Sequence, residues 1–491
     1  MIGTSIGEWV FIRLSIAFFR YTPVLYIISF AICLLFANNT AWGSIGAFVS
    51  TVLLLVEGTF FVLIWQPYQT RLGEAAIHPP PLSRQERKEI FHQCFDNVEL
   101  PEAYVKGWFL GAELEYIHRG DLREFLLWAF FDRDNTHSTT HDEFDEEDLE
   151  EFIQRIEGLV DYRFKPGHGP CKSLRLTLEG IETTYRSFLW YIIIFAVDQF
   201  THVLLMYKGF QYYAAPTQSV FPPRPQQYLS RHRSPEDNLA YWYRPHKSTN
   251  KRPLVFFHGI GIGLLVYIEF LAALLKTPSG ADDGIGIIVV ELLPISFRLT
   301  RPPPSRAEFL EQITRVIDSH NWDDFVLASH SYGSVLVTHM LGFPALEKRV
   351  HAVVLIDPVT VMLHLPDVAY NFTRRRPREA NQWQLWYFAS TDPGVAHCLG
   401  RHFFWRQNIV WREDLLGLAS KDQRGSERKV VVSLSGRDLI TKPGTIAQYL
   451  EAGNGQSGEI DVITFPHLDH AQVFDSPAER QQLVALARGC F

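Results

Sequence analysis

The sequence predicts an α/β fold, a mostly parallel sheet covered by helices, joined to an α-helical membrane hairpin at the N-terminus. From about Leu239 onward, short apolar runs alternate with stretches of helical periodicity, which is typical of parallel strands connected by helices. Before this region, two long apolar segments follow one another with only a short neutral link, residues 38–43, between them. We therefore divide the chain into a membrane hairpin (1–78), a helical linker or accessory region (79–238) and an α/β domain (239–491).

The composition limits the classes of function. Hydrophobic residues make up 47% of the 491 residues, which is enough to fill a sizeable core. The net charge of -8 lacks the basic footprint of nucleic-acid-binding proteins, so we expect no nucleic-acid partner. The five cysteines are odd in number and form no Cys-x-x-Cys pair, which argues against a disulfide framework or a thiolate metal site.

The two apolar segments, residues 21–37 and 44–65, are predicted to span a membrane. The first is short for a bilayer but free of charge, and the second is long enough and carries one acid, Glu57. Residues 8–21 are predicted to precede them as an interfacial helix. The alternative is a pair of buried core helices. Basic residues flank both ends of the hairpin, which predicts that both ends are cytoplasmic. They are Arg13, Arg20, Arg71, Arg84, Arg87 and Lys88.

A third apolar stretch, residues 188–206, is long enough to span but has polar residues in its middle. Asp198 and His202 lie four positions apart, so on a helix they share one face, which suits a face turned toward the protein. An acid inside the bilayer costs roughly 2.5–3.5 kcal/mol on insertion scales, so we expect a membrane-associated helix beside the domain. A third span would instead place everything after it on the opposite side of the membrane. Residues 83–185 are predicted to be mostly helical and indicate no chemistry.

The most informative motif is Ser329-His330-Ser331-Tyr332-Gly333, between an apolar run over 325–328 and a helical pattern over 335–341. It resembles the nucleophile elbow of the α/β-hydrolase superfamily, with Ser329 in place of the usual first glycine. Small residues flank the serine of such a turn because the strand and helix backbones nearly touch there. The resemblance covers roughly the second half of the chain. It implies that Ser331 is a nucleophile, whereas His330 is expected to pack.

A His-Gly pair, His258-Gly259, follows the apolar strand over 254–257. In the superfamily, such a pair after the third strand supplies one backbone N–H of the oxyanion hole, and the residue after the nucleophile supplies the other. The resemblance therefore implies Ile260, with Gly261 as a further candidate, and Tyr332 as donors. The alternative is a glycine-rich phosphate loop, but the stretch lacks the Gly-Lys-Ser/Thr ending of one.

A serine nucleophile also needs a base and a carboxylate that orients the base. Asp438 follows an apolar strand and a turn glycine, where the superfamily usually carries its acid, and Asp357 after the preceding strand is the alternative. His470 follows the last strand and resembles the family's histidine, with His467 as its alternative. The chain order of serine, acid and histidine agrees with the superfamily. No metal and no cofactor is implied.

Residues 358–428 form a connection much longer than usual. Members of the superfamily commonly carry a helical cap over the active site at this point. The predicted cap is rich in aromatic residues, which either form its own core or line the path of an apolar acyl or alkyl chain. They are Trp383, Trp386, Tyr387, Phe388, Phe403, Phe404, Trp405 and Trp411.

Together these features predict a membrane-anchored serine hydrolase that cleaves carboxylic esters of a lipid-like substrate through a Ser-His-Asp triad and an acyl-enzyme. Two alternatives stay open: the same fold acting on amide, thioester or C–C bonds, and a hydrolase-like membrane scaffold with an idle triad. The expected partners are a hydrophobic small molecule and the lipid bilayer. The expected location is the endoplasmic reticulum or another internal membrane, with the catalytic domain in the cytosol. The sequence does not specify the natural substrate, the oligomeric state or any protein partner.

Overall fold

The computed structural model describes residues 2–37, 40–133, 143–277, 279–418, 428–453 and 458–491. Residues 38 and 39 of the predicted link and residues 419–427 of the predicted cap lie outside this part of the chain.

Two long apolar segments form the N-terminal hairpin. Helix α1 spans Ile6–Ala37. Helix α2, Ala41–Phe60, continues through a π-helical turn, Phe61–Trp65, into α3, Gln66–Leu72. Among the described residues, three helical segments are long and apolar enough to cross a membrane: 6–37, 41–72 and a later helix, 188–207.

The predicted interfacial helix (8–21) and the predicted first span (21–37) form one continuous helix, α1. No residue at the junction stops the backbone pattern. The Thr22 hydroxyl donates to the Phe18 carbonyl at 2.8 Å, a bond that Thr makes within a helix. Pro23 also lies inside this helix.

In the described part of the chain, the α-helices that follow the hairpin are α4 (Arg84–Asp96), α5 (Pro101–Trp108), α6 (Arg119–Phe131), α7 (Glu143–Val160) and α8 (Phe188–Tyr207). The prediction of a mostly helical region over 83–185 is correct up to Val160 and wrong beyond it. Residues 161–187 contain no helix. Proline and glycine at 166, 167, 169 and 170 explain this, because both residue types disfavour the helical backbone.

Glu57 lies where the hairpin meets the rest of the protein. Its carboxylate accepts hydrogen bonds from the Tyr185 hydroxyl and, at 3.1 Å, from the backbone N–H of Phe188. Phe188 is the first residue of α8, so the acid satisfies an otherwise free N–H and interacts favourably with the helix dipole. The single acid of the second apolar segment is therefore turned toward protein.

The polar face of α8 is turned toward the α/β domain. Asp198 accepts hydrogen bonds from Arg224 Nε at 2.9 Å and from Arg298 Nη2 at 2.9 Å. Arg224 also donates to both oxygens of Glu291, at 2.6 and 2.8 Å, and all four side chains are buried. This ion network fixes the middle of α8 to the domain. The outer face of α8 exposes Ile192, Phe200, Val203, Met206 and Tyr207.

A nine-stranded sheet forms the centre of the C-terminal domain, in the order β11-β10-β9-β8-β5-β6-β4-β1-β3. The strands are β1 (Gln211–Ala214), β3 (His232–Arg233), β4 (Tyr241–Arg244), β5 (Leu254–Phe257), β6 (Ile287–Val290), β8 (Phe325–His330), β9 (Val350–Ile356), β10 (Lys429–Ser435) and β11 (Ile460–Phe465); β2 (Val220–Phe221) and β7 (Leu299–Thr300) pair separately. The six strands from β11 to β6 in this order run parallel, and β4 is antiparallel to both its neighbours. The predicted fold is therefore confirmed.

The sheet begins earlier than the predicted domain boundary at Leu239. Strands β1 and β3 lie in the region that was assigned to the helical linker, and they form one edge of the sheet. Strand β3 is two residues long and exposed, so it lacks the apolar run that identified the central strands. An edge strand of this kind leaves little trace in a sequence.

Helices cover both faces of the sheet. They are α9 (Pro225–Leu229), α10 (Ile268–Leu274), α11 (Arg306–Ser319), α12 (Gly333–Leu341), α13 (Pro344–Glu347), the cap helices α14 (Asp367–Thr373), α15 (Ala380–Gln384), α16 (Pro393–Arg401), α17 (Trp405–Asn408) and α18 (Arg412–Leu416), and then α19 (Pro443–Glu451) and α20 (Pro477–Arg488). Successive residues of β5 belong to the apolar layers on opposite faces, Val255 and Phe257 to one, Leu254 and Phe256 to the other. This explains why the strand is apolar at every position.

The cap helices connect β9 to β10, and the first half of α1 packs against them. Trp9 Nε1 donates to the Arg378 carbonyl at 3.1 Å, and the Arg13 guanidinium lies 3.8 Å from the centre of the Trp383 ring. Ile12 and Ile16 are buried with Tyr387 of the cap. The second half of α1 instead exposes large apolar side chains. They include Ile27, Ile28, Ile32, Leu34, Leu35 and Phe36.

Candidate active site

Ser331 occupies a strained turn between β8 and α12. Its φ of 52° is a left-handed conformation that side chains other than glycine rarely adopt. A Cβ on Gly333 would lie 2.4 Å from the Phe257 carbonyl oxygen, and a Cβ on Gly259 would lie 2.8 Å from Cβ of Ser331. The two backbones therefore touch on either side of the serine, which holds its hydroxyl at the carboxyl end of the sheet.

Three of the predicted side chains meet at this end of the sheet. Ser331 Oγ lies 2.8 Å from His470 Nε2, and His470 Nδ1 lies 2.7 Å from Asp438 Oδ2. The other carboxylate oxygen of Asp438 accepts hydrogen bonds from the N–H groups of Ile440 and Thr441, at 2.7 and 3.2 Å. All three side chains are buried. The arrangement permits a proton to pass between the hydroxyl and the imidazole, with a carboxylate behind it.

Burial and charge shift the pKa values of this group. Burial alone would lower the pKa of the His470 imidazole, but the Asp438 carboxylate raises that pKa to about 9. Burial alone would raise the pKa of the Asp438 carboxyl, and His470 with the two N–H donors holds it below its usual value. The resting site therefore favours an imidazolium paired with a carboxylate.

Among the described residues, Asp357 and His467, the alternative acid and the alternative base, make no hydrogen bond with Ser331. Asp357 is buried, and its oxygens accept hydrogen bonds from the backbone N–H of Ser435 at 2.7 Å, the Ser435 hydroxyl at 2.9 Å and the Ala471 N–H at 2.9 Å. Burial raises the pKa of the Asp357 carboxyl to about 6. It thus braces the loop that carries His470. His467 is exposed at the surface, away from Ser331.

The His-Gly loop after β5 is held in place by hydrogen bonds. The Leu292 N–H donates to His258 Nε2 at 2.9 Å, and His258 Nδ1 lies 2.8 Å from the Gly259 carbonyl oxygen. Burial lowers the pKa of His258 to about 4, which keeps the ring neutral for both bonds. His258 therefore supports the loop from behind.

The backbone N–H groups of the candidate oxyanion donors differ in whether they already make a hydrogen bond. The Gly261 N–H donates to the Ile295 carbonyl at 3.2 Å, so it is engaged outside the oxyanion position in this structure, and its role as a donor stays a prediction. In the described part of the chain, the N–H groups of Ile260 and Tyr332 take part in no hydrogen bond. Both residues line the cavity that contains Ser331.

Two positioning residues have no signal in the sequence. The Tyr267 hydroxyl accepts the Gly259 N–H at 3.0 Å and lies 2.8 Å from His330 Nδ1, so it joins the His-Gly loop to the elbow. Asp469 accepts the N–H groups of Leu439 and His470, at 3.0 and 2.7 Å, and Asn381 of the cap at 2.6 Å. A motif search finds neither residue, because each acts only through contacts made by folding.

The side chains of Asp357, Asp438 and His470 have the spacing of a metal site, with ligand atoms within 4.8 Å of one another. Both nitrogens of His470 already have hydrogen-bond partners, and Asp357 holds two loops. The donor set therefore suits a hydrogen-bonded proton relay better than a metal ion.

An apolar cavity of about 30 Å³ lies over Ser331. A volume of this size holds a water molecule or two and no acyl chain. The lining comes from the accessory region, the His-Gly loop, the elbow, the cap and the loop after Asp438. It comprises Leu176, Ile260, Ser331, Tyr332, Val359, Val368, Ala369, Phe372, Thr373, Leu399, Phe403 and Ile440.

We expect Gly333→Ala to displace the elbow and lower the free energy of unfolding by about 1–3 kcal/mol, because the new methyl group meets the Phe257 carbonyl at 2.4 Å. Denaturant unfolding in detergent micelles measures this. The matched control is Gly261→Ala, where a Cβ meets nothing within 4 Å and stability should hardly change. Equal stability of the two variants would contradict the close contact.

Comparisons with known proteins give one family match and several similar solved structures. The model of the alpha/beta hydrolase family matches residues 254–481. No curated protein matches the chain. Similar solved structures include a membrane phospholipase A described as a bacterial virulence factor (13% identity over 62% of this chain and 93% of that chain, TM-score 0.38). Another is naproxen esterase from Bacillus subtilis, with 12% identity over 50% of this chain and 86% of that chain and a TM-score of 0.35. A third is haloalkane dehalogenase DbeA from Bradyrhizobium elkani, with 10% identity over 51% of this chain and 95% of that chain and a TM-score of 0.35. The family match and the sheet topology assign residues 254–481, slightly less than half of this chain, to the α/β-hydrolase superfamily.

Proposed function

We propose that this chain is a membrane-anchored serine hydrolase that cleaves carboxylic esters with an apolar acyl chain. The observation that carries the proposal is the continuous line of hydrogen bonds from Ser331 through His470 to Asp438, which ends at an apolar cavity. The buried pair of His470 and Asp438 and the strained backbone at Ser331 both cost stability, and a scaffold without activity would gain nothing from them. This geometry favours catalysis over the scaffold alternative.

In the proposed reaction, Ser331 Oγ attacks the ester carbonyl as its proton passes to His470 Nε2. The Asp438 carboxylate stabilises the imidazolium. The N–H groups of Ile260 and Tyr332 stabilise the oxyanion, and the loss of one such donor typically costs about 3–4 kcal/mol. The imidazolium then protonates the departing alcohol, which leaves an acyl-enzyme. Water, deprotonated by the imidazole, hydrolyses that ester and releases the acid.

The apolar lining supports a hydrophobic acyl group as the part bound over Ser331. Nearly all the cavity side chains are aliphatic or aromatic. Because its volume is only about 30 Å³, the cap and the sheet must separate before a chain enters. We propose this open form as the state that binds substrate, with no metal and no cofactor.

We further propose that α1 and α2 cross an internal membrane, such as that of the endoplasmic reticulum, and that the hydrolase domain lies in the cytosol. The apolar surface of the hairpin and the basic residues at both its ends support this orientation. The ion network of Asp198 supports a position of α8 beside the domain, since a span would carry Arg224 and Arg298 into the bilayer.

The test of the proposed function is labelling of membranes with a fluorophosphonate probe. We expect the wild-type protein to be labelled and Ser331→Ala to lose all labelling, because the variant lacks the attacking oxygen. The matched control is Ser329→Ala, which removes a buried hydroxyl that has no hydrogen-bond partner among the described residues. A wild-type protein that reacts no better than Ser331→Ala would refute the proposal.

The raised pKa of His470 predicts a pH dependence. Below about pH 9 the imidazole holds a proton and is not a base, so the labelling rate should rise with pH between neutrality and about pH 9. Asp438→Asn removes the charge that raises this pKa. It should therefore move the rise to lower pH and reduce the maximal rate, by up to about 10⁴-fold if the loss resembles that in serine proteases.

Stopped-flow or quenched labelling over a pH series measures this profile. The control is Asp461→Asn, which alters an exposed carboxyl on β11. If wild type and Asp438→Asn shared one pH midpoint, the assigned partnership of Asp438 and His470 would be wrong.

The proposed orientation predicts that Asn371 is not glycosylated. The sequence Asn371-Phe372-Thr373 is an acceptor only in a lumen, and the Asn371 amide nitrogen already donates to the Ile440 carbonyl at 2.9 Å. Endoglycosidase treatment of protein from its native membrane should leave the mass unchanged. A mass shift that disappears in Thr373→Ala would show that the domain faces the lumen.

A further inference from the structure

A second cleft, of about 670 Å³, adjoins the apolar cavity at Tyr332, and its wall carries both apolar and polar side chains. Tyr332 is the one residue that lines both spaces, and it follows the proposed nucleophile directly. The cleft is also lined by Ile295, whose carbonyl holds the His-Gly loop. A substrate whose ester group lies at Ser331 would therefore extend into the apolar cavity at one end and toward this cleft at the other.

Five side chains on the cleft wall each retain a buried polar atom that has no partner in the described part of the chain. They are Gln218, Arg306, Gln312, His339 and Asn408. His339 and Asn408 are 8% and 2% exposed, so they are nine-tenths buried. A buried polar atom without a partner is unfavourable and rare in native proteins. Several around one cleft beside the nucleophile indicate that a polar ligand supplies the missing hydrogen bonds.

The pair His339 and Asn408 defines what such a ligand must offer. His339 Nε2 lies 2.9 Å from Asn408 Oδ1, which leaves His339 Nδ1 as an acceptor and Asn408 Nδ2 as a donor. Burial lowers the pKa of His339 to about 4, so the ring is neutral. Reversing the imidazole tautomer together with the amide exchanges the two roles but still leaves one donor and one acceptor. A ligand that both donates and accepts, such as one with several hydroxyl groups, can satisfy both atoms.

The unpaired atoms of Arg306, Gln312 and Gln218 likewise require a ligand that both donates and accepts hydrogen bonds. Arg306 Nε is a donor, whereas Gln312 Oε1 and Gln218 Oε1 are acceptors. A phosphodiester offers only acceptors and would leave the glutamine oxygens and one atom of the His339–Asn408 pair unpaired. A group with several hydroxyls both donates and accepts. The mixture of donors and acceptors in the cleft thus favours a polyol over a phosphodiester.

We propose that this cleft binds the alcohol part of the substrate, and that this part is a hydroxyl-bearing group such as glycerol or a sugar. The inference rests on the proposed ester hydrolysis and adds the identity of the leaving group. The substrate is then an ester with an apolar acyl chain in the cavity and a polyol in the cleft.

The experiment compares two esters of octanoic acid, the glycerol monoester and the methyl ester, with the full-length protein in detergent micelles. The measured quantity is the ratio of kcat/KM for the glycerol ester to that for the methyl ester. We expect Gln312→Met and Asn408→Leu each to lower this ratio about tenfold, because each removes a hydrogen bond that only the polyol makes. Gln312 is only partly buried, so its variant should fold even if Asn408→Leu does not.

The control is Gln448→Met, which alters an exposed glutamine on α19 and should leave the ratio unchanged. Fluorophosphonate titration gives the concentration of active protein for each variant. An unchanged ratio in Gln312→Met, with labelling retained, would overturn the inference and show that the cleft holds only water. If the wild-type protein hydrolysed neither ester and took no label, the proposed function would fail, and this inference with it.

Discussion

The site depends on the close contact of two backbones at the carboxyl end of the sheet. Strand β5 ends against the start of α12, so closely that the Phe257 carbonyl leaves no room for a side chain at position 333. Gly259 meets the Ser331 side chain from the other direction with equally little space. Because of these contacts the chain must turn sharply at Ser331 with a positive φ, and the hydroxyl cannot retreat into the sheet. The strain at one residue is maintained by packing of the whole parallel sheet.

The loops that carry Asp438, His470 and the His-Gly pair are held by hydrogen bonds from Asp469, Asp357 and Tyr267. Asp469 ties the loop of Asp438 to that of His470 and, through Asn381, to the cap. Asp357 ties β10 to the residue after His470, and Tyr267 ties the His-Gly loop to the elbow. The acid, the base and the candidate oxyanion donors thus stand on loops that brace one another. A displaced loop would change several distances together.

Much of this organisation was predictable from the sequence, for a physical reason. Parallel strands buried on both faces are apolar at nearly every position, so the central strands β5, β6, β8, β9 and β10 appear as short apolar runs. The turn at Ser331 requires small neighbours. The edge strands β1 and β3 lack such runs. The sequence favoured His470 over His467 only through the resemblance, since the bend of a loop decides which side chain faces inward. The engagement of the Gly261 N–H depends on Ile295, which is remote in sequence.

The continuous helix α1 joins the cap to the N-terminal hairpin. Its first half is packed on the cap through Trp9 and Arg13, and its second half is the outer apolar arm of the hairpin. If that arm crosses the bilayer as proposed, α1 holds the cap close to the lipid surface, with Pro23 as the point at which its two halves can bend. The cavity over Ser331, which cap residues line in part, would then lie near the bilayer from which an apolar chain would come.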